Sequence, residues 1–248
     1  MEPANDRHAS APEAPNASRA MPGALRRSGG LRWHGRALRR WRLHEPFRRS
    51  IHAFLQAWQP DGSDLILLGP SAGWFLPSAF LRRFSRLILV ELDTSAPFFF
   101  SLRHGRALQQ SGTTLEWLQA DLVTVLPYLL AAHRSATVLF CNVLGQLGLE
   151  RGDYESRLAE ISGLLEGRSW ASFHDRFSAR LPIDRLANAN AFSTATPMDA
   201  AMLQRLGCSG EWTDHGTGTV LPPGILRHYF PWRIVPDRFH WVEAGIVQ

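Results

Sequence analysis

Five short apolar runs stand at intervals through the chain, each followed by small or polar residues. They are Leu65 to Leu68, Leu87 to Val90, Leu115 to Leu118, Ala136 to Phe140 and Ser169 to Phe173. Runs of four or five apolar residues without alternation have the length of strands buried on both faces. The stretches between them repeat apolar residues at helical spacing. Phe98, Phe99, Phe100, Leu102 and Leu108 predict a buried helix that ends at Gly112. Val123 to Leu130 reads as a helix carrying Pro127, and Tyr154 to Leu165 as another. Thr196-Pro197-Met198-Asp199 caps a short helix through Leu206. Near the end, Trp232 to Val235 and Phe239 to Val242 flank Pro236-Asp237-Arg238, the pattern of an antiparallel hairpin. Strand and helix alternate five times before that hairpin. The fold class that follows is α/β, doubly wound and Rossmann-like, with a mostly parallel seven-stranded sheet and a C-terminal antiparallel hairpin.

Before the first strand the pattern changes. Residues 1–30 are rich in Ala, Pro, Asn, Ser and Gly without periodicity and read as a disordered tail. Residues 31–59 form a basic helical arm: Leu31, Leu38, Trp41, Ile51, Phe54, Leu55 and Trp58 recur at helical spacing, with Pro46 dividing two helices. Residues 60–248 are the Rossmann-like body. Arginine beside tryptophan in the arm suits phosphate and base stacking. The plainer reading, which is preferred, packs the arm on the body with its arginines in solvent.

Charge sharpens that division. All 27 basic residues are arginine, and lysine is absent. Residues 1–50 hold 11 Arg against 4 acids, a balance of +7, and the remainder holds 16 Arg against 18 acids, a balance of −2. A body without a basic face disfavours a long nucleic-acid footprint, so nucleic acid is unlikely except through the arm, and a small molecule is the preferred substrate. The missing ε-amine excludes phosphate-loop and Schiff-base chemistry. Cys141 and Cys208 have no ligand-like spacing, so neither a disulfide framework nor a metal is expected. No apolar run is long enough to span a membrane, and no signal-peptide core is visible, so a cytoplasmic protein is expected. Oligomeric state is not legible.

Chemistry gathers at the strand ends. Gly69-Pro70-Ser71-Ala72-Gly73 follows the first strand and forces a tight turn whose backbone can approach a ligand. Glu91 and Asp93 end the second strand, about 20 residues on, where an acid suits the hydroxyls of a ribose. Asp121 and Leu122 follow the third strand, Asn142 the fourth, and His174-Asp175 the fifth. In parallel α/β sheets ligands lie over these carboxyl ends. Adjacent side chains on a strand point oppositely, so one of His174 and Asp175 faces the site. His174 is the favoured base or substrate-orienting group, with a capping role as its alternative. Asn142 and Gln146 can hydrogen-bond an acceptor without titrating. His104 reads as a surface or capping histidine, His240 as structural.

This ordered set resembles the class I S-adenosylmethionine-dependent methyltransferases, over about residues 60–248. The resemblance implies S-adenosylmethionine as cofactor and in-line methyl transfer to a small-molecule O or N acceptor. It places Gly69, Pro70, Ser71 and Gly73 under the methionine and ribose part. Glu91, with Asp93 as neighbour, falls to the ribose, Asp121 and Leu122 to the adenine, and Asn142 to the methyl and substrate. His174, Asp175 and Asn142 are then the catalytic candidates. The loop departs from the family pattern: it lacks the preceding acid, and Pro70 and Ser71 stand where freer residues are usual.

Two alternatives come from other classes. Gly69 to Gly73 also matches Gly-x-Ser-x-Gly, which would make Ser71 the nucleophile of a serine hydrolase, His240 or His228 its base, and Asp121, Asp175 or Asp214 the orienting acid. The altered loop also suits a methyltransferase-fold binding module without catalysis. A dinucleotide-binding oxidoreductase would need a third glycine where Leu76 or Pro77 stands.

Overall fold

The computed structural model describes residues 30–145, 154–181, 189–208 and 210–248. The tail, but for Gly30, and Gln146 lie outside the described residues. Five parallel strands carry the body: β1 (Asp64–Leu68), β2 (Arg86–Val90), β3 (Thr114–Leu118), β4 (Thr137–Cys141) and β5 (Trp170–Arg180). After them come β6 (Phe192–Thr194), β7 (Thr213–Asp214), β8 (Arg227–Val235) and β9 (Arg238–Val247). The sheet runs β3-β2-β1-β4-β5-β9-β8-β6, with β7 on the outer part of β5. β9 lies antiparallel between β5 and β8. Among the described residues nine strands thus replace the expected seven. The additions, β6 and β7, are two or three residues long and carry no apolar run to announce them.

Strand order reverses between β1 and β4, which leaves the crevice of a doubly wound sheet at their carboxyl ends. The helices supply the two outer layers. On one face lie α1 (Gly30–Arg39), α2 (Glu45–Ala57), α3 (Ser78–Leu81) and α4 (Ala96–Ser111). Phe47, Ile51, Leu55 and Trp58 of α2 pack there with Leu65, Leu67, Phe80, Phe100 and Trp232. On the other face α5 (Leu122–Ala132) and α6 (Tyr154–Leu164) bring Leu126, Leu130, Leu158 and Ile161 onto Ile66, Ile88, Val138 and Phe140. A third cluster places α7 (Ala200–Arg205), through Leu203, beside Phe177, Tyr229 and Trp241.

The element ends have local causes. Pro46 sits in the first turn of α2, where its missing N–H is no loss. Gly112 closes α4 in the left-handed conformation, φ 72°. Asp199 caps α7 by accepting from the Met202 N–H at 2.7 Å. The arm corrects one expectation: Leu31 and Leu38 are exposed, while His34 and Ala37 are buried and Trp33 packs on the core. Among the described residues, no helix is long and apolar enough to cross a membrane.

Candidate functional site

The glycine turn is fixed to the end of β2. Gly69 extends β1 by donating to Val90 O at 2.9 Å, and Gly73 closes the turn on Pro70 O at 2.9 Å. Between them Ser71 is held at φ 50°, a conformation that favours glycine. Its N–H donates to Glu91 Oε2 at 2.7 Å. Glu91 Oε1 accepts from Leu92 N at 2.9 Å and Asp93 N at 3.1 Å. Burial pushes the Glu91 carboxyl up from its ordinary value, opposed by these three amides. A carboxylate offers about four lone-pair sites, and three are used. The Ser71 hydroxyl oxygen is buried and has no hydrogen-bond partner.

The two glycines are required by packing. A Cβ on Gly69 would stand 2.9 Å from Val143 Cβ, and one on Gly73 would stand 2.7 Å from His104 Nε2. His104 is buried beneath the turn, not on the surface as expected: Nε2 lies 3.2 Å from Gly73 O and Nδ1 2.8 Å from Ser78 Oγ.

The other acids are committed locally. Asp93 is buried, and its Oδ1 accepts from Ser95 N at 2.9 Å and Ser95 Oγ at 2.6 Å. Its Oδ2 faces His34 Nε2 of the arm at 3.0 Å. His34 Nδ1 accepts from Trp74 Nε1 at 3.0 Å, so the ring's proton belongs on Nε2, toward the acid. Asp121 is exposed and caps α5 through Oδ1, which accepts from Val123 N at 2.9 Å and Thr124 N at 3.3 Å. Leu122 is buried in the adjoining core.

A second group forms where β4 ends, beside the middle of β5, which runs on to Arg180 and so holds His174 and Asp175 within the strand and not after it as expected. Asn142 has φ 55°, and its amide donates to Phe173 O at 2.7 Å. Asn142 Oδ1 accepts from Asp175 N at 2.9 Å, and Nδ2 lies 3.4 Å from Asp175 Oδ2. Asp175 Oδ1 stands 3.0 Å from His240 Nδ1 on β9. The His240 ring stacks on His215, centroids 6.0 Å apart. Asp175 pairs with Val242, and His240, two residues from Val242 on β9, shares its face, so both side chains lie on one side of the sheet. His240 also meets Trp232 at 5.7 Å, which itself meets Trp33 of the arm. The Asp175 carboxyl is held below its ordinary value: burial opposes this, and His240, then His215, outweigh it.

Not every candidate reaches the crevice. His174 points the other way from Asp175 and is fully buried. Its Nδ1 meets Ser172 Oγ at 2.8 Å and its Nε2 meets Glu243 Oε2 at 3.3 Å. Arg227 and the Tyr229 hydroxyl, 2.8 Å from Oε1, complete the shell of Glu243. His174 therefore belongs to an internal ion network and is dropped as a catalytic candidate. Sequence reasoning did not single out His34 or His215, and it took His240 as structural or as the base of the hydrolase alternative. The nucleophile alternative fares no better than His174: Ser71 Oγ meets no histidine, while His228 is bonded to Ser193 and His240 stands on Asp175.

No family model and no curated relative matches the chain. Among solved structures it is similar to the N-methyltransferase NodS from Bradyrhizobium japonicum WM9, at 15% identity and TM-score 0.46, covering 81% of this chain and 96% of that one. The complex of NodS with S-adenosyl-L-homocysteine aligns at 17% identity and TM-score 0.44, over 83% and 90% of the two chains. Magnesium protoporphyrin IX methyltransferase from Synechocystis PCC 6803 with bound SAM aligns at 12% identity and TM-score 0.44, over 90% and 89%. These neighbours belong to the family that the sequence resembles.

Proposed function

We propose that this protein is an S-adenosylmethionine-dependent methyltransferase acting on a small-molecule O or N acceptor. The observation that carries the reading is the Ser71–Glu91 junction at the crevice. A buried hydroxyl with no partner stands beside a carboxylate with one lone-pair site to spare, on the turn that follows β1. A polar atom left unpaired in a buried site loses its water without compensation, so a ligand hydroxyl or carboxylate satisfies it.

The residues fit the group. Ser71 Oγ and Glu91 Oε2 would bind its hydroxyl-bearing part, and Asp121 keeps Oδ2 for an exocyclic amine while Oδ1 caps α5. When bound, the cofactor supplies an electrophilic methyl carbon on its sulfonium. The chain's own task is to orient the acceptor and exclude water. Orientation alone can be worth about 7–11 kcal/mol. Asn142, just past β4, and Asp175, within β5, are locked to each other where an acceptor would be held. The arm, through Trp33 against Trp232 and His34 against Asp93, covers the same side and keeps water away.

Calorimetry with S-adenosylmethionine and S-adenosylhomocysteine tests this. Dissociation constants of about 1 μM to 1 mM, the usual range for substrates, are expected for both. The absence of heat from either at high micromolar protein would end the methyltransferase reading and that of a cofactor-binding module together. Binding with no acceptor turned over from a panel of phenols and amines would favour the module.

A further inference from the structure

We propose that Asp175, His215 and His240 form a binding site for a divalent first-row metal ion of the Zn2+ type. One ligating atom from each residue lies within 4.8 Å of the others, and among the described residues no other group of His, Cys, Asp and Glu converges in this way. The ligands come from β5, the loop after β7, and β9, so their spacing in sequence carries no motif. This is why the chain reads as metal-free until it is folded.

Asp175 and His240 form a close pair across β5 and β9. Oδ1 and Nδ1 are 3.0 Å apart, yet both are buried and neither has a hydrogen-bond partner. The ring's Nε2 is buried and unpartnered too. Two ligands about 2.1 Å from a common ion at a tetrahedral angle stand about 3.4 Å apart, close to the separation of this pair. A cation at that point would compensate both atoms at once. Left alone, each has lost its water without compensation.

The surroundings hold the ligands in place. Asp175 is fixed from three sides: by Asn142 Oδ1 on its amide at 2.9 Å, by Asn142 Nδ2 at 3.4 Å from Oδ2, and by the Thr217 hydroxyl donating to its carbonyl at 2.8 Å. Ser178 Oγ lies 3.0 Å from His215 Nε2, which fixes that ring and leaves Nδ1 as its ligating nitrogen. Such outer contacts are what orient metal ligands. The nearest cation, Arg176, is taken up by Asp214. The His34–Asp93 pair makes a useful contrast. Its facing atoms are likewise 3.0 Å apart, buried and without a hydrogen-bond partner, but His34's second nitrogen is bonded to Trp74 and, among the described residues, no third ligand joins the pair.

Two imidazoles and one carboxylate suit zinc and its neighbours over Mg2+ or Ca2+, which take oxygen shells. Three protein ligands leave a position open, the arrangement of a catalytic zinc. Through Asp175 that position adjoins Asn142. If the methyltransferase reading holds, an acceptor hydroxyl bound there would lose its proton more readily. That consequence rests on the reading; the ion site does not.

The test uses the full chain after dialysis against a chelator, titrated calorimetrically with ZnCl2 alone and with MgCl2 alone. One Zn2+ per chain is expected at micromolar or tighter Kd, with Mg2+ at least 100-fold weaker. His215→Ala and His240→Ala should each weaken Zn2+ at least tenfold, and His228→Gln should leave it unchanged. Co2+ should give a visible band without the sulfur charge-transfer expected if Cys141 or Cys208 were the ligand. Circular dichroism and the calorimetric response to S-adenosylmethionine on the same variants separate a lost site from a lost fold. Unchanged Zn2+ affinity in both alanine variants, or no Zn2+ binding at 100 μM, would overturn the site. Zn2+ binding without S-adenosylmethionine binding would keep the site and sink the transferase reading.

Discussion

The Ser71 amide stands 2.7 Å from Glu91 Oε2 while Ser71 itself is held at φ 50°. A left-handed serine costs about 1–2 kcal/mol, and the charge-assisted bond to Glu91 offsets it. The crevice is therefore shaped by a side chain reaching back from β2 onto the turn after β1. Glu91→Gln replaces one of two acceptor oxygens with an NH2 that cannot accept. It should lower stability by about 1–3 kcal/mol and weaken S-adenosylmethionine binding at least tenfold. Ser71→Gly keeps the N–H and removes the strain, so it should be neutral or stabilising by up to about 1 kcal/mol while still weakening binding. Urea denaturation beside calorimetry checks both. A Ser71→Gly protein that binds as tightly as the parent would show that the buried hydroxyl takes no part.

Gly73 is needed for a different reason. Its φ is 65°, and an added Cβ would stand 2.7 Å from His104 Nε2 and 2.9 Å from Phe100. Those rings are themselves buried in the core and cannot withdraw. Gly73→Ala therefore combines an unfavourable backbone with overpacking. A loss of about 2–4 kcal/mol is expected in denaturant unfolding. At Gly112, φ 72°, nothing lies within 4 Å of an added Cβ, so Gly112→Ala should cost only the backbone part, about 1–2 kcal/mol.

His104 should give the protein an acid-sensitive slope. Burial first, then Arg103, lowers its pKa from 6.5 to about 4. Between those values the unfolded chain binds a proton that the folded chain refuses. Stability therefore falls as pH drops from about 6.5 toward about 4, by up to about 3 kcal/mol from this residue. His104→Gln retains a donor for Gly73 O but does not titrate. Its unfolding free energy should be lower than the parent's at pH 8. Across the window its slope should be shallower by about one proton, roughly 1.4 kcal/mol per pH unit. Equal slopes in parent and variant would remove His104 as the source.

How far the sequence foretold this arrangement depends on what each residue needs. β1, β2 and β4 are buried on both faces, so an unbroken apolar run names them, and strand–helix alternation makes their pairing parallel, though it does not give its order. The strand-end positions of Gly69, Glu91, Asp121 and Asn142 follow with them. Facing was harder to read. His174 and Asp175 are adjacent, and alternation says only that one points inward; Glu243 and Arg227, about 70 and 50 residues on, claim His174. The pairing of β9 with β5, which sets His240 on the face of Asp175, has no signal in either strand alone. In α1 the misreading came from hydrophobicity: Leu31 and Leu38 looked like the buried stripe, but Trp33 and His34 have partners in Trp232, Trp74 and Asp93. Polar and aromatic partners fixed that helix's rotation, and no period in the chain encodes them.

The His174–Glu243–Arg227 network yields the last prediction. Glu243 has no exposure, faces the Arg227 guanidinium and accepts from the Tyr229 hydroxyl at 2.8 Å. Burial raises its pKa, but His174 and then Arg227 outweigh burial, so the group is held below its ordinary value. A depressed carboxylate stabilises above its unfolded pKa of about 4.5 and loses that contribution as pH falls through the lower folded value. Glu243→Gln leaves Arg227 buried without its counter-charge, and a loss of about 3–5 kcal/mol is expected. Tyr229→Phe removes an O–H that donates to Glu243 and accepts from Met198 N at 2.7 Å, so about 1–3 kcal/mol should go. Both changes act on the interior. Affinity for S-adenosylmethionine, measured where each variant is still folded, should therefore stay within about twofold of the parent. His174→Gln should behave likewise, losing stability and keeping affinity. A His174→Gln protein as stable as the parent but unable to bind the cofactor would return His174 to the crevice and overturn its assignment to this network.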